Sequence, residues 1–346
     1  MASKRGRNIL FFLGAGASRG AGASAPVQAG GDIPIPVQTD FWPTVLRFAP
    51  PADRTEIESF LFRYFMGYHR PPARIVHLRR TRMLSDIDVE EVFTFLSERA
   101  RAPSTTAQLK AYVERIWRLL VAAIGSAFRR FHPNNRTRRI YRRMRKNHLR
   151  ARDAVVSFNY DTIFEDSLSG NYPWHYAGFS EVGGLRVLKP HGSVNWEIRE
   201  GRLCHVEYAD APVLVAPTHL KFVATRSTRA DDDDADDDGE TPVGYLDVSP
   251  EIQGVWGTME YEMHHAKALV FIGYSFPLAD LYFSSVLRSV IARRDAPPGV
   301  VLVNPDAVAI AARVQERFRV ARLARYFDIE QFVASSRAEM LERVGA

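Results

Sequence analysis

Residues 9–20 read ILFFLGAGASRG, and the fold turns on how they are read. Five apolar residues from Ile9 to Leu13, without polar alternation, have the pattern of a strand covered on both faces, as in a parallel sheet. Small residues follow at once. Gly14 and Gly16 permit unusual backbone dihedrals and a close approach of the backbone to a ligand, and the amides opening the next helix attract anions such as phosphate. Ser18 adds a hydroxyl. The spacing departs from a complete G-x-G-x-x-G fingerprint, because Arg19 stands at the last glycine position and Gly20 comes one residue late. Taken alone, the stretch leaves a phosphate cradle and a merely tight turn both open.

Beyond residue 40 the pattern changes from strand-like to helical. EIESFLFRYFMGY, DVEEVFTFLSERA and TTAQLKAYVERIWRLLVAAIGSAFRRF carry apolar residues at three- and four-residue spacing, as amphipathic helices do. Asp86 and Ser104 are plausible N-caps for the second and third of these. Strand character returns with DAVVSFNYD at residue 153, then LRVLKPHGSVNW, APVLVAP, AKALVFIGYSF and GVVLVNPD, with helical stretches between some of them. This alternation predicts an α/β fold, a Rossmann-like doubly wound parallel sheet with an inserted helical module. The expected division is residues 1–40 and 151–346 for the sheet domain and 41–150 for the helical module. The run DDDDADDDGE is too acidic to pack, so residues 228–242 read as an acidic disordered loop.

Composition narrows the function. The chain has 346 residues, a net charge of +6 and one cysteine, Cys204. A single cysteine excludes an intramolecular disulfide and any zinc site built on several cysteines. No apolar run approaches the roughly 20 residues that span a bilayer, and the N-terminal apolar stretch is short for a secretory signal, so a cytoplasmic protein without membrane attachment is the expectation. The densely basic segment 129–152 permits nucleic-acid contact, although Phe131 and Tyr141 are its only large aromatics; a solvated helical face or a partner-docking patch is the stronger reading.

Several polar groups fall just after the expected strands. Gly14, Gly16 and Ser18 follow the first; Asn159 and Asp161 follow VVSF; His191 follows RVLKP; Gly273, Tyr274 and Ser275 follow ALVFI; Asn304 follows GVVLV. Each alone is ordinary turn chemistry. In order and spacing, GAGAS, SFNYD, KPHGS, FIGYS and VN resemble the motif series of sirtuins, in particular the sirtuin-like NADase domains of bacterial antiphage defence. The resemblance covers the first forty residues and most of 153–304. It implies that NAD is bound as a substrate, with Gly14, Gly16 and Ser18 holding its pyrophosphate, Ser275 and Asn304 lining the adenosine side, and Ala15, Ala17, Gly273 and Tyr274 among the residues that bind it. It further implies that Asn159 orients ribose and water, that His191 is the general base and that Asp161 binds the nicotinamide carboxamide.

The residue chemistry agrees with such a role. Nicotinamide leaves NAD+ as an already cationic group, so cleavage through an oxocarbenium-like state needs positioning and a base near neutrality rather than a strong acid. The chain departs from protein-deacylating sirtuins in three ways: no four-cysteine zinc ribbon can form, Phe158 stands where those enzymes carry Gln, and GGDIPIPVQTDF replaces their flap. The leading expectation is therefore an NAD+ glycohydrolase without zinc, acting as an NAD-depleting effector that is restrained until triggered through homo-oligomerisation or a protein partner. Deacylation or ADP-ribosyl transfer, and a non-catalytic NAD, ADP-ribose or nucleic-acid sensor, are the alternatives. A dehydrogenase would carry the full glycine fingerprint and an acidic residue after the second strand.

Overall fold

A computed structural model of the chain describes residues 8–27, 31–68, 77–168, 172–179, 183–200, 202–207, 209, 211–215, 222–224, 245–247, 250–278 and 280–346. The acidic run at 228–242 lies outside the described residues. Seven strands form one parallel sheet: β1 (Ile9–Leu13), β2 (Ala154–Ser157), β3 (Trp174–Tyr176), β4 (Leu185–Leu188), β5 (Ala268–Ile272), β6 (Gly299–Val303) and β7 (Leu323–Tyr326), in the spatial order β7-β6-β5-β1-β2-β4-β3. The fold is thus α/β and doubly wound. β1 is central, with Phe11 in register with Val270 on one side and Val155 on the other. All five of its residues are buried, which is why the stretch lacks polar alternation.

The chain leaves β1, builds β2, β4 and β3 on one side, and then crosses back to lay β5, β6 and β7 on the other. That reversal makes the carboxyl end of β1 the topological switch point, where sheets of this kind open a crevice. Two edge strands, β3 and β7, went unread in the sequence because each is buried at only one or two positions, so no buried apolar run marks it. APVLVAP, expected within the parallel sheet, lies outside it: Val213–Leu214 pairs antiparallel with Gly192–Ser193.

Between β1 and β2 run α1 (Ala15–Ala21), a hairpin of Ser24–Val27 with Gly31–Pro34, and helices α2 (Phe41–Phe48), α3 (Pro51–Phe65), α4 (His77–Ser85), α5 (Val89–Arg101), α6 (Ala107–Phe128) and α7 (Asn135–Asn147). Helices α2 to α5 gather around α6 or one another, whereas α7 packs on α1 and on two helices of the sheet layers, α8 (Ile163–Leu168) and α12 (Ile329–Ala334). Its buried face is Thr137, Ile140, Tyr141 and Met144. By its contacts, α7 is the crossover helix that returns the chain to the sheet. The remaining helices are α9 (Pro250–His265), α10 (Leu281–Ala292), α11 (Ala307–Phe318) and α13 (Arg337–Arg343).

The helix starts differ from the sequence reading by two residues. Asp88, rather than Asp86, caps α5 by accepting from the amides of Glu90 and Glu91, and Thr106, rather than Ser104, caps α6 by accepting from Leu109. In both cases the residue chosen by the fold lies immediately before the first helical position, where its oxygen reaches the second or third amide. Among the described residues no helix is long and apolar enough to cross a membrane.

Candidate active site

The crevice at the end of β1 is a cavity of about 1060 Å³, at the upper end of the roughly 300–1,000 Å³ typical of ligand pockets. Of the residues singled out in the sequence, Gly14, Ala15, Gly16, Asn159, Asp161, His191, Gly273, Tyr274, Ser275 and Asn304 line it. Ala17 and Ser18 are not in the lining; both are buried behind it. One wall is therefore assembled from the ends of five parallel strands or the loops that follow them.

The glycines of the first turn meet another stretch of this chain. Gly14 donates its amide to the Ile272 carbonyl at 2.9 Å and Gly16 donates to Gly273 at 3.0 Å, while Ala17 donates to Gly14 at 2.8 Å. Gly273 has φ +62, and a Cβ there would sit 2.0 Å from the Ala17 nitrogen. The close approach read from GAGAS is thus a backbone contact between the β1 and β5 loops. The amides of Gly14 and Gly16 are committed to it and that of Ala17 to the Gly14 carbonyl, so a phosphate at this end would draw on the side chains of Arg19 and Arg136, which also line the cavity.

Behind the glycines lies a small polar cluster. Asn159 donates through Nδ2 to the Gly14 carbonyl at 3.1 Å and to the Ser18 hydroxyl at 3.3 Å. Ser18 donates to the Asp161 carboxylate at 3.2 Å. Asp161 also accepts from the Ile163 amide at 3.0 Å, its own backbone carbonyl accepting from Lys189 Nζ at 2.5 Å. Ser18 therefore joins the two polar groups that follow β2. Its hydroxyl is spent on orienting them.

Lys189, fully buried, pairs with Glu165 at 3.2 Å, and the same carboxylate accepts from the Tyr176 hydroxyl. Burial pushes the Asp161 carboxyl up to about 6, against the opposing pull of Lys189 and of the Ile163 amide. Buried charge is tolerated here because the cluster is internally bonded.

His191 follows β4 through Lys189 and Pro190. Its ring lies between Phe158, with centroids 5.1 Å apart, and Trp256, at 6.0 Å. Its carbonyl accepts from the Val215 amide at 2.8 Å. Gly192 has φ +77, and a Cβ there would fall 2.1 Å from the Val213 carbonyl oxygen. The glycine of HGS is what lets the small antiparallel pair close beneath the histidine. Tyr274, 4.9 Å from Phe158, donates its hydroxyl to Asp280 at 2.6 Å, and burial followed by that carboxylate raises its ionisation well above the usual range.

Further lining residues carried no sequence signal. Asp88 and Glu90 enter from α5, Arg313 from α11, and Glu330 and Gln331 from α12. They sit on the polar flanks of amphipathic helices, where one charged residue looks like any other. Arg19 bridges the Ile35 carbonyl and Asp40, fastening the loop from Pro36 to Thr39 across the crevice. Arg136 pairs with Glu330 at 3.0 Å, and Arg313 donates to the Ser275 carbonyl at 3.0 Å. The site thus has an aromatic end around Phe158, His191 and Tyr274, and a charged end around Asn304, Arg313 and α12.

A doubly wound α/β protein with a large, polar-floored crevice at its switch point is the class that fold and site define. Among solved structures the chain is similar to three point variants of a Sir2 homologue, each in complex with ADP-ribose: TM-scores are 0.38, 0.37 and 0.39, with 12% sequence identity and 98% of this chain covering 93% of the other. No protein-family model matches the sequence, and no curated protein matches it.

Proposed function

We propose that the chain is an NAD+ glycohydrolase that converts NAD+ and water to nicotinamide and ADP-ribose. The observation that carries this reading is the convergence of Asn159, Asp161 and His191, from two different strand ends, on one cavity large enough for a dinucleotide. In this reading the nicotinamide ribose lies at the aromatic end and the adenosine at the charged end, beside Ser275 and Asn304. Arg19 and Arg136 supply positive charge between them for the pyrophosphate.

Asn159 is fixed by its bonds to Gly14 and Ser18, so it can hold ribose and water without reorganising. The C1′–N bond breaks with its electron pair leaving on nicotinamide, water adds to C1′, and its proton passes to His191. Asp161 accepts from the departing carboxamide. No resident metal or second cofactor takes part in this scheme.

The motif resemblance set out above supports a wider role as an NAD-depleting effector of bacterial antiphage defence, acting on the cytoplasmic NAD+ pool. Such an activity requires restraint, for which self-association or a partner docked on helices α2 to α6 or on the basic segment 129–152 is the proposed release.

The test is nicotinamide release from NAD+ by the purified chain, with and without an added acyl-peptide. The reading predicts peptide-independent release that Asn159→Ala and His191→Ala abolish. Release that depends on the peptide would favour deacylation instead.

A further inference from the structure

The parallel pairing of β2 and β4 ends at Val156 opposite Leu188. Beyond that point one chain carries Asn159 and Asp161 and the other His191, and the sheet ladder no longer fixes how far apart these groups stand. Lys189, the residue after Leu188, reaches across the gap. Its ammonium donates to the Asp161 backbone carbonyl at 2.5 Å. The Val194 amide adds a second tie, to the Tyr160 carbonyl at 3.0 Å.

Lys189 is itself held in place. It is wholly buried and pairs at 3.2 Å with Glu165 of α8, a carboxylate only 1% exposed. Glu165 also accepts from the Tyr176 hydroxyl of β3, which in turn accepts from Asn195 Nδ2 at 3.2 Å. A buried ion pair is seldom worth more to stability than an apolar pair of the same volume, so stability alone gives little reason for a lysine here. The groups facing the Asp161 carboxylate are the Ser18 hydroxyl from α1, Tyr141 from α7, Glu165 from α8 and Lys189 from the end of β4. Lys189 is the cation among them.

We propose that Lys189 is a positioning residue of the hydrolysis inferred above, its buried ammonium fixing the loop of Asn159 and Asp161 at a set distance from His191. Lys189 lies behind the cavity lining and acts through the Asp161 carbonyl. Misplacing a reacting group by about 1 Å costs on the order of 10²-fold in rate, and a side-chain bond beyond the last strand pair opposes such a shift. Its charge has a second effect, favouring the ionised Asp161 that accepts from the departing carboxamide. The inference rests on the NAD+ glycohydrolase reading.

The experiment uses the full chain carrying Lys189→Met, which keeps the length of the side chain and removes its charge and donors. The double variant Lys189→Met/Glu165→Gln also removes the carboxylate left unpaired, and so guards against a single variant that fails to fold. Nicotinamide release gives kcat, KM and the pH profile, calorimetry gives ADP-ribose affinity, and thermal unfolding gives stability. The expected result for the double variant is a fall in kcat of about 10²-fold and an acid limb of kcat/KM displaced to higher pH, with KM, ADP-ribose affinity and unfolding temperature near those of the unmodified chain. The limb moves up because the pull of Lys189 on the Asp161 proton equilibrium exceeds the opposing push of Glu165. Retention of kcat within about threefold, or an acid limb that stays in place, overturns the proposal. So does failure of both variants to fold, or a loss of kcat matched by losses of ADP-ribose affinity and stability, which marks a structural role. If the unmodified chain releases no nicotinamide, the glycohydrolase reading fails and this inference with it; if Asn159→Ala abolishes release and the Lys189 variants keep it, only this inference fails.

Discussion

Asp161 is buried beside a cation, and burial outweighs the cation, raising the carboxyl from 3.8 to about 6. The folded chain then holds that proton more tightly than the unfolded one. The group's unfavourable contribution is absent below pH about 4, grows through the interval and is complete above about 6. His148 acts with the opposite sign: burial lowers it from 6.5 to about 4, so the stability that comes from keeping it neutral is lost as pH falls through that window.

In the intact chain the two partly cancel on acidification. Asp161→Asn removes the compensating gain, so urea midpoints measured from pH 7 to pH 4 should fall more steeply in the variant, by a difference on the order of 3 kcal/mol across the window. Parallel curves would show that Asp161 does not titrate there. The proposed hydrolysis has its own dependence: if Asp161 accepts from the carboxamide as proposed, its ionised form is lost below about pH 6 and kcat/KM should decline there.

Among the elements, the two loops at the switch point are the tightest joint. Gly273→Ala meets both a positive φ and the Ala17 amide, and neither can yield without parting β5 from α1. Denaturant unfolding should register a loss of more than about 2 kcal/mol, and a near-neutral result would contradict the packing described. The helix caps supply a finer check. Thr106→Ala should cost about 1 kcal/mol in the same assay and Ser104→Ala close to nothing, the reverse of what the sequence pattern alone suggested.

These elements also show what was legible in the sequence. β1 declared itself because a strand buried on both faces leaves an unbroken apolar run, and β5 and β6 did so for the same reason, while β2 and β4 showed as shorter apolar stretches beside Ser157 and around Arg186. The polar groups at their ends were visible because turn residues interrupt those runs abruptly. The glycines of GAGAS were seen, but the backbone contact they make was not: an approach between loops more than 250 residues apart leaves the same trace as a ligand contact. Glu90 and Arg136 were illegible, since which charged residue of an amphipathic helix turns into a crevice depends on how the helix docks.

Over the whole molecule, the C-terminal segment is bound to the middle of the chain through Asp153. Its carboxylate accepts from the Ile9 amide at 2.9 Å and the Arg150 amide at 2.7 Å, and pairs with Arg337 of α13 through two contacts of 2.5 and 3.0 Å. One buried group thus holds the start of β1, the approach to β2 and the last helix together. Arg337→Ala removes a partner from a carboxylate that is 1% exposed, and equilibrium unfolding should lose about 3–5 kcal/mol. A loss below about 1 kcal/mol would mean that the amides alone suffice. The basic α7 adjoins this junction, with Arg139, Arg142, Arg143 and Lys146 turned outward while its other face packs on α1, α8 and α12.

In the proposed hydrolysis, groups from separate strand ends of the crevice act together on one glycosidic bond. The most direct measurement is a time course of NAD+ consumption in which nicotinamide and ADP-ribose are quantified together, for the unmodified chain and for Asn159→Ala. The account predicts that both products appear in equal amounts without any acceptor, and that the variant, still folded, produces neither. Nicotinamide released without ADP-ribose, or turnover untouched by the substitution, would contradict it.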